Sequence, residues 1–155
     1  MKKRRWIAIL LLMLCLSGFG ENRIVVQAEE LGEDIDISYL LTDSALVGNA
    51  VLQTRGLYLL SGDSVINKIS STKIGAGGTT TAAIKCKVSV MSIVERKSAS
   101  GSWVRVNSWT NTVENGFTAA VSKSLTVGTG YYYRVRSTHY ASSDVSSSYT
   151  SSLKM

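Results

Sequence analysis

Gly130-Tyr131-Tyr132-Tyr133-Arg134-Val135-Arg136-Ser137-Thr138-His139-Tyr140 is the stretch that decides the fold class. Tyr131, Tyr133 and Val135 fall on one side of a period of two, and Arg134 and Arg136 fall on the other. That period belongs to a strand with one buried face and one charged, wetted face. Similar signals recur on either side of it. Gly56-Leu57-Tyr58-Leu59-Leu60 closes on the turn cluster Ser61-Gly62-Asp63. Residues 82–97 set Ile84, Cys86, Val88 and Val90 against Lys85, Lys87 and Ser89, and the adjacent Ile93 and Val94 predict a change of face through a bulge. Ser98-Ala99-Ser100-Gly101-Ser102 reads as a hairpin loop, and the returning strand puts Trp103 and Trp109 on one face with Arg105 between them. Residues 116–121 and 124–127 give further strands, 142–148 a Ser-rich loop, and 149–153 a last short strand. About seven short strands with turn signals between them predict an all-β chain folded as an antiparallel β-sandwich.

The N-terminal part reads differently. Lys2, Lys3, Arg4 and Arg5 precede an apolar run over residues 6–16, and Val26-Gln27-Ala28 suits a signal peptidase. The apolar run is shorter than the roughly 20 residues a membrane span needs. Residues 1–28 are therefore expected to be a signal peptide and the protein to be extracellular. Residues 29–55 form an acidic arm and residues 56–155 the sandwich domain. The whole chain carries a net charge of +6. Without the leader this falls to +2, unevenly placed. Six acids and no base lie between Glu29 and Asp43, whereas twelve Lys/Arg against four acids from Ser44 onward give the remainder a net +8. Such asymmetry favours anionic partners or a contact between arm and domain. Cys86 is the one cysteine past the leader, so no disulfide within the mature chain is expected, and its place on an apolar strand face suits a buried thiol; a bridge to another chain is the alternative.

Leu125-Thr126-Val127-Gly128-Thr129-Gly130-Tyr131-Tyr132-Tyr133-Arg134-Val135-Arg136 resembles the E–F corner and F strand of fibronectin type III domains. The resemblance implies an immunoglobulin/fibronectin-III-like sandwich, with Tyr131 as the corner tyrosine bonded back to the turn and Tyr133 and Val135 in the core. Ser70-Ser71-Thr72-Lys73-Ile74, Val94-Glu95-Arg96-Lys97, Gly101-Ser102-Trp103, Ser108-Trp109-Thr110 and Gly130-Tyr131-Tyr132-Tyr133-Arg134-Val135-Arg136 are together similar to an uncharacterised family of small secreted proteins of Gram-positive bacteria, a domain of unknown function. That resemblance implies export and a fold, and no activity.

Few residues suggest chemistry. His139 is the only histidine, and a loop-edge position is expected for it. No elbow motif singles out a nucleophilic serine for a Ser-His-Asp arrangement with Asp144. One histidine and one cysteine past the leader are too few for a structural zinc site. Glu95 and Glu114 read as solvated carboxylates. The run Gly75-Ala76-Gly77-Gly78 lacks the Lys-Ser/Thr ending of a phosphate loop and is expected to bend or bulge. No enzymatic activity, cofactor or metal is expected. The basic residues say more. Tyr132, Arg134 and Arg136 share the outward face of one strand and Lys85 and Lys87 that of another; if the strands are neighbours, the five form one ligand-binding surface. The expected partner is an anionic cell-wall polymer or glycan, without nucleic acid and without stable membrane insertion. The chain thus reads as a secreted non-enzymatic binding module. A bacteriocin-like or membrane-active toxin is the alternative, and oligomeric state is left open.

Overall fold

The computed structural model describes residues 32–42, 44–50 and 56–155. The predicted signal peptide lies outside these residues. The strands are β1 (Glu33–Asp34), β2 (Leu46–Asn49), β3 (Leu59–Lys68), β4 (Lys73–Lys97), β5 (Val104–Thr126), β6 (Tyr132–Ala141), β7 (Asp144–Tyr149) and β8 (Leu153–Lys154). A single 3-10 turn at Ile37–Tyr39 is the only helical piece among the described residues. All strand pairs are antiparallel and belong to one eight-stranded sheet, so the all-β expectation holds.

Two strands are far longer than the sequence suggests. β4 has 25 residues and β5 has 23, joined through the expected loop at 98–102, where Gly101 N–H donates to the Ser98 carbonyl at 3.3 Å. The pair runs in register from Lys73↔Thr126 to Thr81↔Thr118, shifts around Cys86↔Gly116, and resumes from Val88↔Val113 to Arg96↔Val104. Around that break lies an elbow. Before it, β4 pairs with β3; beyond it, β4 pairs with β6. Although β3 does not pair with β6 or β7, it lies against both, and Ser64 Oγ comes within 2.8 Å of Ser137 Oγ and 2.7 Å of Ser148 Oγ. The sheet therefore doubles over on itself. One layer holds β2, β3, the first half of β4, the second half of β5 and β1. The other holds the remaining halves with β6, β7 and β8. Both layers share one ribbon, where the fibronectin pattern has two separate sheets.

The elbow corrects the expected burial of residues 82–90. Val88 and Val90 are fully buried, but Ile84 is 44% exposed and Cys86 is half-buried with a free thiol, because the apolar phase is interrupted at the bend. The glycine run does not bend. Gly75, Gly77 and Gly78 stay in register with both β3 and β5. They are small because each strand face is closely covered. A Cβ on Gly75 would lie 2.1 Å from Leu40 Cδ2, and one on Gly78 would lie 2.6 Å from Ser137 Oγ.

The described residues of the acidic arm dock, and they supply parts of the sheet. β1 pairs with β5, while Glu33 meets Lys73 at 2.8 Å and Asp34 meets Lys123 at 2.7 Å. Lys73 holds the Glu33 carboxyl below its usual range through a hydrogen bond and its charge. Asp36 caps the 3-10 turn by accepting from Ser38 N–H at 2.8 Å. Leu40, 1% exposed, then seats against Gly75, and Asn67 Nδ2 donates to Thr42 Oγ1 at 2.8 Å. β2 continues the arm onto the edge of β3. The contact between arm and domain is thus realised, on the outer face of the first layer.

Between the layers the core is apolar, then polar, then apolar along the strands. Ile66, Ile74, Ala76, Val94, Trp109, Leu125, Tyr133 and Val135 make one cluster with Val127 and Met155. Leu59, Ala82, Val88, Val90, Ala119 and Ala141 make the other. A hydroxyl belt separates them, centred on His139, which is fully buried and not at a loop edge. His139 Nδ1 lies 2.9 Å from Thr80 Oγ1 and Nε2 lies 2.7 Å from Ser148 Oγ. Thr80 Oγ1 also donates to the Ser89 carbonyl at 3.0 Å. Ser64, Ser137 and Ser92 extend the belt, with Ser92 Oγ 2.9 Å from Ser137 Oγ. Buried hydroxyls are tolerated here because they satisfy one another.

The corner reading shifts by two residues. Tyr133, not Tyr131, donates its hydroxyl back to the turn, to the Gly128 carbonyl at 2.8 Å. Tyr131 is half-buried at the rim, edge-on to Tyr133. Tyr133 and Val135 are fully buried as expected. Tyr133→Phe should lower stability by about 1 kcal/mol, the net worth of one such bond. Urea unfolding measures it, and an unchanged midpoint would show the corner bond to be idle.

Candidate functional site

The second layer turns its outer face to solvent, and β6 runs through the middle of it. Along β6 the residues alternate: Tyr133, Val135, Ser137 and His139 point inward, leaving Tyr132, Arg134 and Arg136 outward. Across the ladder, Lys97 pairs with Tyr132, Glu95 with Arg134 and Ile93 with Arg136. On the far side of β6, Lys154 pairs with Tyr132 and Tyr149 with Arg136. On the far side of β4, Arg105 pairs with Glu95.

Glu95 organises this patch. Its side chain is only 11% exposed, and Arg134 Nε donates to its Oε2 at 2.8 Å. Arg136 Nε approaches the other oxygen at 3.5 Å. A buried carboxylate needs such pairing, since desolvating it unpaired costs several kcal/mol. Arg134 is further held by rings: its Cζ lies 4.3 Å from the Trp103 ring centroid and 6.0 Å from that of Tyr149. Lys97 Nζ lies 5.1 Å from the Trp103 centroid and Lys154 Nζ 5.8 Å from that of Tyr132. Arg96, on the other face of β4, covers the Tyr131 ring at 4.8 Å. Each contact keeps a cation's body on an aromatic surface while its charge stays near water.

The five predicted site residues split. Tyr132, Arg134 and Arg136 come together as expected. The strands bearing them and the lysines are neighbours, but their antiparallel register carries Lys85 and Lys87 to the elbow. Lys87 lies six residues along β4 from Ile93, the partner of Arg136, which is about 20 Å of strand. Lys87 also pairs with Glu114 at 2.9 Å. In place of the two lysines the structure supplies Lys97, Trp103, Arg105, Tyr149 and Lys154.

Two of these substitutions have legible causes. Arg105 and Asn107 pair with Glu95 and Val94, leaving Val106 as an extra residue on β5. This bulge falls where the adjacent Ile93 and Val94 had suggested one, but the extra residue is on the partner strand. It flips the phase, so Trp109 turns into the core at 9% exposure while Trp103 stays with the outer face. Tyr149 joins because residues 144–148, expected as a loop, form β7 and bring Tyr149 in as its last residue, where the sequence had suggested a strand beginning there. Asp144 begins that strand and accepts from the backbone N–H of Tyr58 at 2.7 Å and Leu59 at 3.0 Å, bonds that hold its carboxyl below the usual range.

The fold and the patch define an all-β domain with a doubled-over sheet and a basic, aromatic outer face. The chain belongs to a family of unknown function, DUF6147, whose model matches residues 38–153. The matched span begins in the 3-10 turn, so most of the docked arm falls within the family's unit. A search of curated proteins finds no match to the chain.

Proposed function

We propose that this protein is a non-enzymatic binding module that works outside the cell and takes an anionic envelope polymer on the outer face of β6. The observation supporting this reading is the grouping of Lys97, Arg105, Arg134, Arg136 and Lys154 around the rings of Trp103, Tyr132 and Tyr149, against the single carboxylate of Glu95 in the patch. A flat, cationic, aromatic surface suits an extended polyanion better than a small enclosed substrate. Such a ligand is attracted by the summed charge, and salt weakens that attraction.

The test replaces Lys97, Arg136 and Lys154 together with Gln. Arg134 is left in place, because its loss strands the buried Glu95 and confounds folding with binding. Retention on purified cell envelopes is then measured from low to high salt. The unaltered protein should be released as salt rises, and the triple variant should bind about tenfold less at low salt, with a shallower salt dependence. Equal, salt-insensitive retention of both would overturn the reading.

A further inference from the structure

Resting on that reading, we propose that Glu95 is a positioning residue that turns Arg134 and Arg136 into a carboxylate clamp, and that the polymer is a uronate-bearing polysaccharide. Glu95 engages the Nε side of both guanidinium groups, Arg134 at 2.8 Å and Arg136 at 3.5 Å. A guanidinium has five N–H donors in a planar fork. With Nε spoken for, its terminal N–H groups remain for an incoming anion. Arg134 is held flat by Trp103 and Tyr149, so it is already ordered before a ligand arrives. Arg136, half-exposed and farther from Glu95 at 3.5 Å, is the outer jaw.

The charge of the clamp selects the ligand. Two guanidinium groups and one carboxylate leave a net of one positive charge, which matches one singly charged oxyanion. A planar carboxylate meets a planar fork in two parallel hydrogen bonds. Tyr149, 66% exposed beside Arg136, offers a ring face to the apolar face of a pyranose next to that carboxylate. Lys97 and Lys154 flank Tyr132 one pair further along β6, where the next acidic sugar of a chain would pass.

Glu95→Gln makes the two possible roles of this residue disagree in sign. If the face binds by net charge alone, removing an acid from it tightens polyanion binding. If Glu95 positions the arginines, removing its charge loosens them and weakens binding. The full-length chain is titrated with polygalacturonate, polyphosphate and neutral dextran at fixed salt, with thermal melts to confirm folding. Polygalacturonate should bind the unaltered chain more tightly than polyphosphate, dextran should not bind, and Glu95→Gln should lose about tenfold in affinity for polygalacturonate. Arg136→Lys, which keeps the charge and removes the fork, should also bind more weakly with an unchanged salt slope, and it serves if Glu95→Gln does not fold. Unchanged or tighter binding by Glu95→Gln, or by Arg136→Lys, overturns the clamp while leaving the anionic-polymer reading intact. Preference for polyphosphate overturns the carboxylate assignment. Failure of the unaltered chain to bind either polyanion overturns both readings.

Discussion

Gly62→Ala should destabilise the protein by about 3 kcal/mol, and most of that loss should vanish when His139 is also replaced by Ala. The reason is the separation of the layers. A Cβ at position 62 would stand 2.3 Å from His139 Cγ and 2.5 Å from Cδ2, with neither ring nor backbone free to move aside. His139 is pinned at both nitrogens by Thr80 and Ser148, and Gly62 is paired with Thr80 in the opposite layer. Overpacking of a dense core costs ~1–3 kcal/mol. Here the clash also threatens the hydroxyl belt, which places the effect at the upper end. His139→Ala alone opens a cavity and frees the Thr80 and Ser148 hydroxyls, so it is destabilising too. Combined, the new methyl occupies part of the space the ring has left. Urea unfolding of the two single variants and the double variant gives the coupling directly. Additive losses would show that position 62 and the imidazole do not compete for the same volume.

Acidification should weaken the fold well above the pH at which carboxylates titrate. Burial pushes the His139 imidazole down from its ordinary 6.5 to about 4. The unfolded chain therefore takes up this proton near pH 6.5, while the folded chain resists it until about pH 4. Between those values the unfolded state binds more protons, so stability falls as pH drops through the window and rises as pH climbs through it. The full excursion is about 3 kcal/mol, most of it developed by pH 4.5. The carboxylates held low by their partners, Glu33, Asp36 and Asp144, lose their contributions only at more acid pH. The measurement is the urea midpoint at half-unit steps from pH 7.5 to 4.5. His139→Gln, which keeps a polar group in the belt and removes the titration, should abolish the loss of stability over the same range. An unaltered protein that is itself flat there would mean the imidazole is protonated as easily inside as outside.

Much of the second layer is legible in the alternation of β6. Tyr133 and Val135 inward, Tyr132, Arg134 and Arg136 outward, follow from the period of two and from nothing else. The same phase runs on through Ser137 and His139, but there the signal of burial is lost, because serine and histidine read as surface residues. Their partners on β3, β4 and β7 stand up to 73 residues away, and a single sequence does not place them. The glycine and threonine run of β4 misleads for a related reason. Small residues usually mark turns, yet here they mark a strand covered on both sides, by the arm without and the hydroxyl belt within. The binding face divides in the same way. Its arginines could be read from one strand, whereas Lys97, Trp103, Tyr149 and Lys154 depend on register and on the bulge at Val106, which tertiary packing sets.

The long ribbon of β4 and β5 also governs how such a sequence can drift. Each side chain on it holds its orientation by counting in twos, and both layers use the same count. Deleting or adding one residue on either arm of the ribbon exchanges core for solvent along that arm, unless another bulge absorbs it. The loop at 98–102 and the irregular stretch around residues 83–87 are the two places where length can change without reversing that parity. Variation in chain length across relatives should therefore gather at those two points, and elsewhere along the ribbon change should proceed by replacement alone.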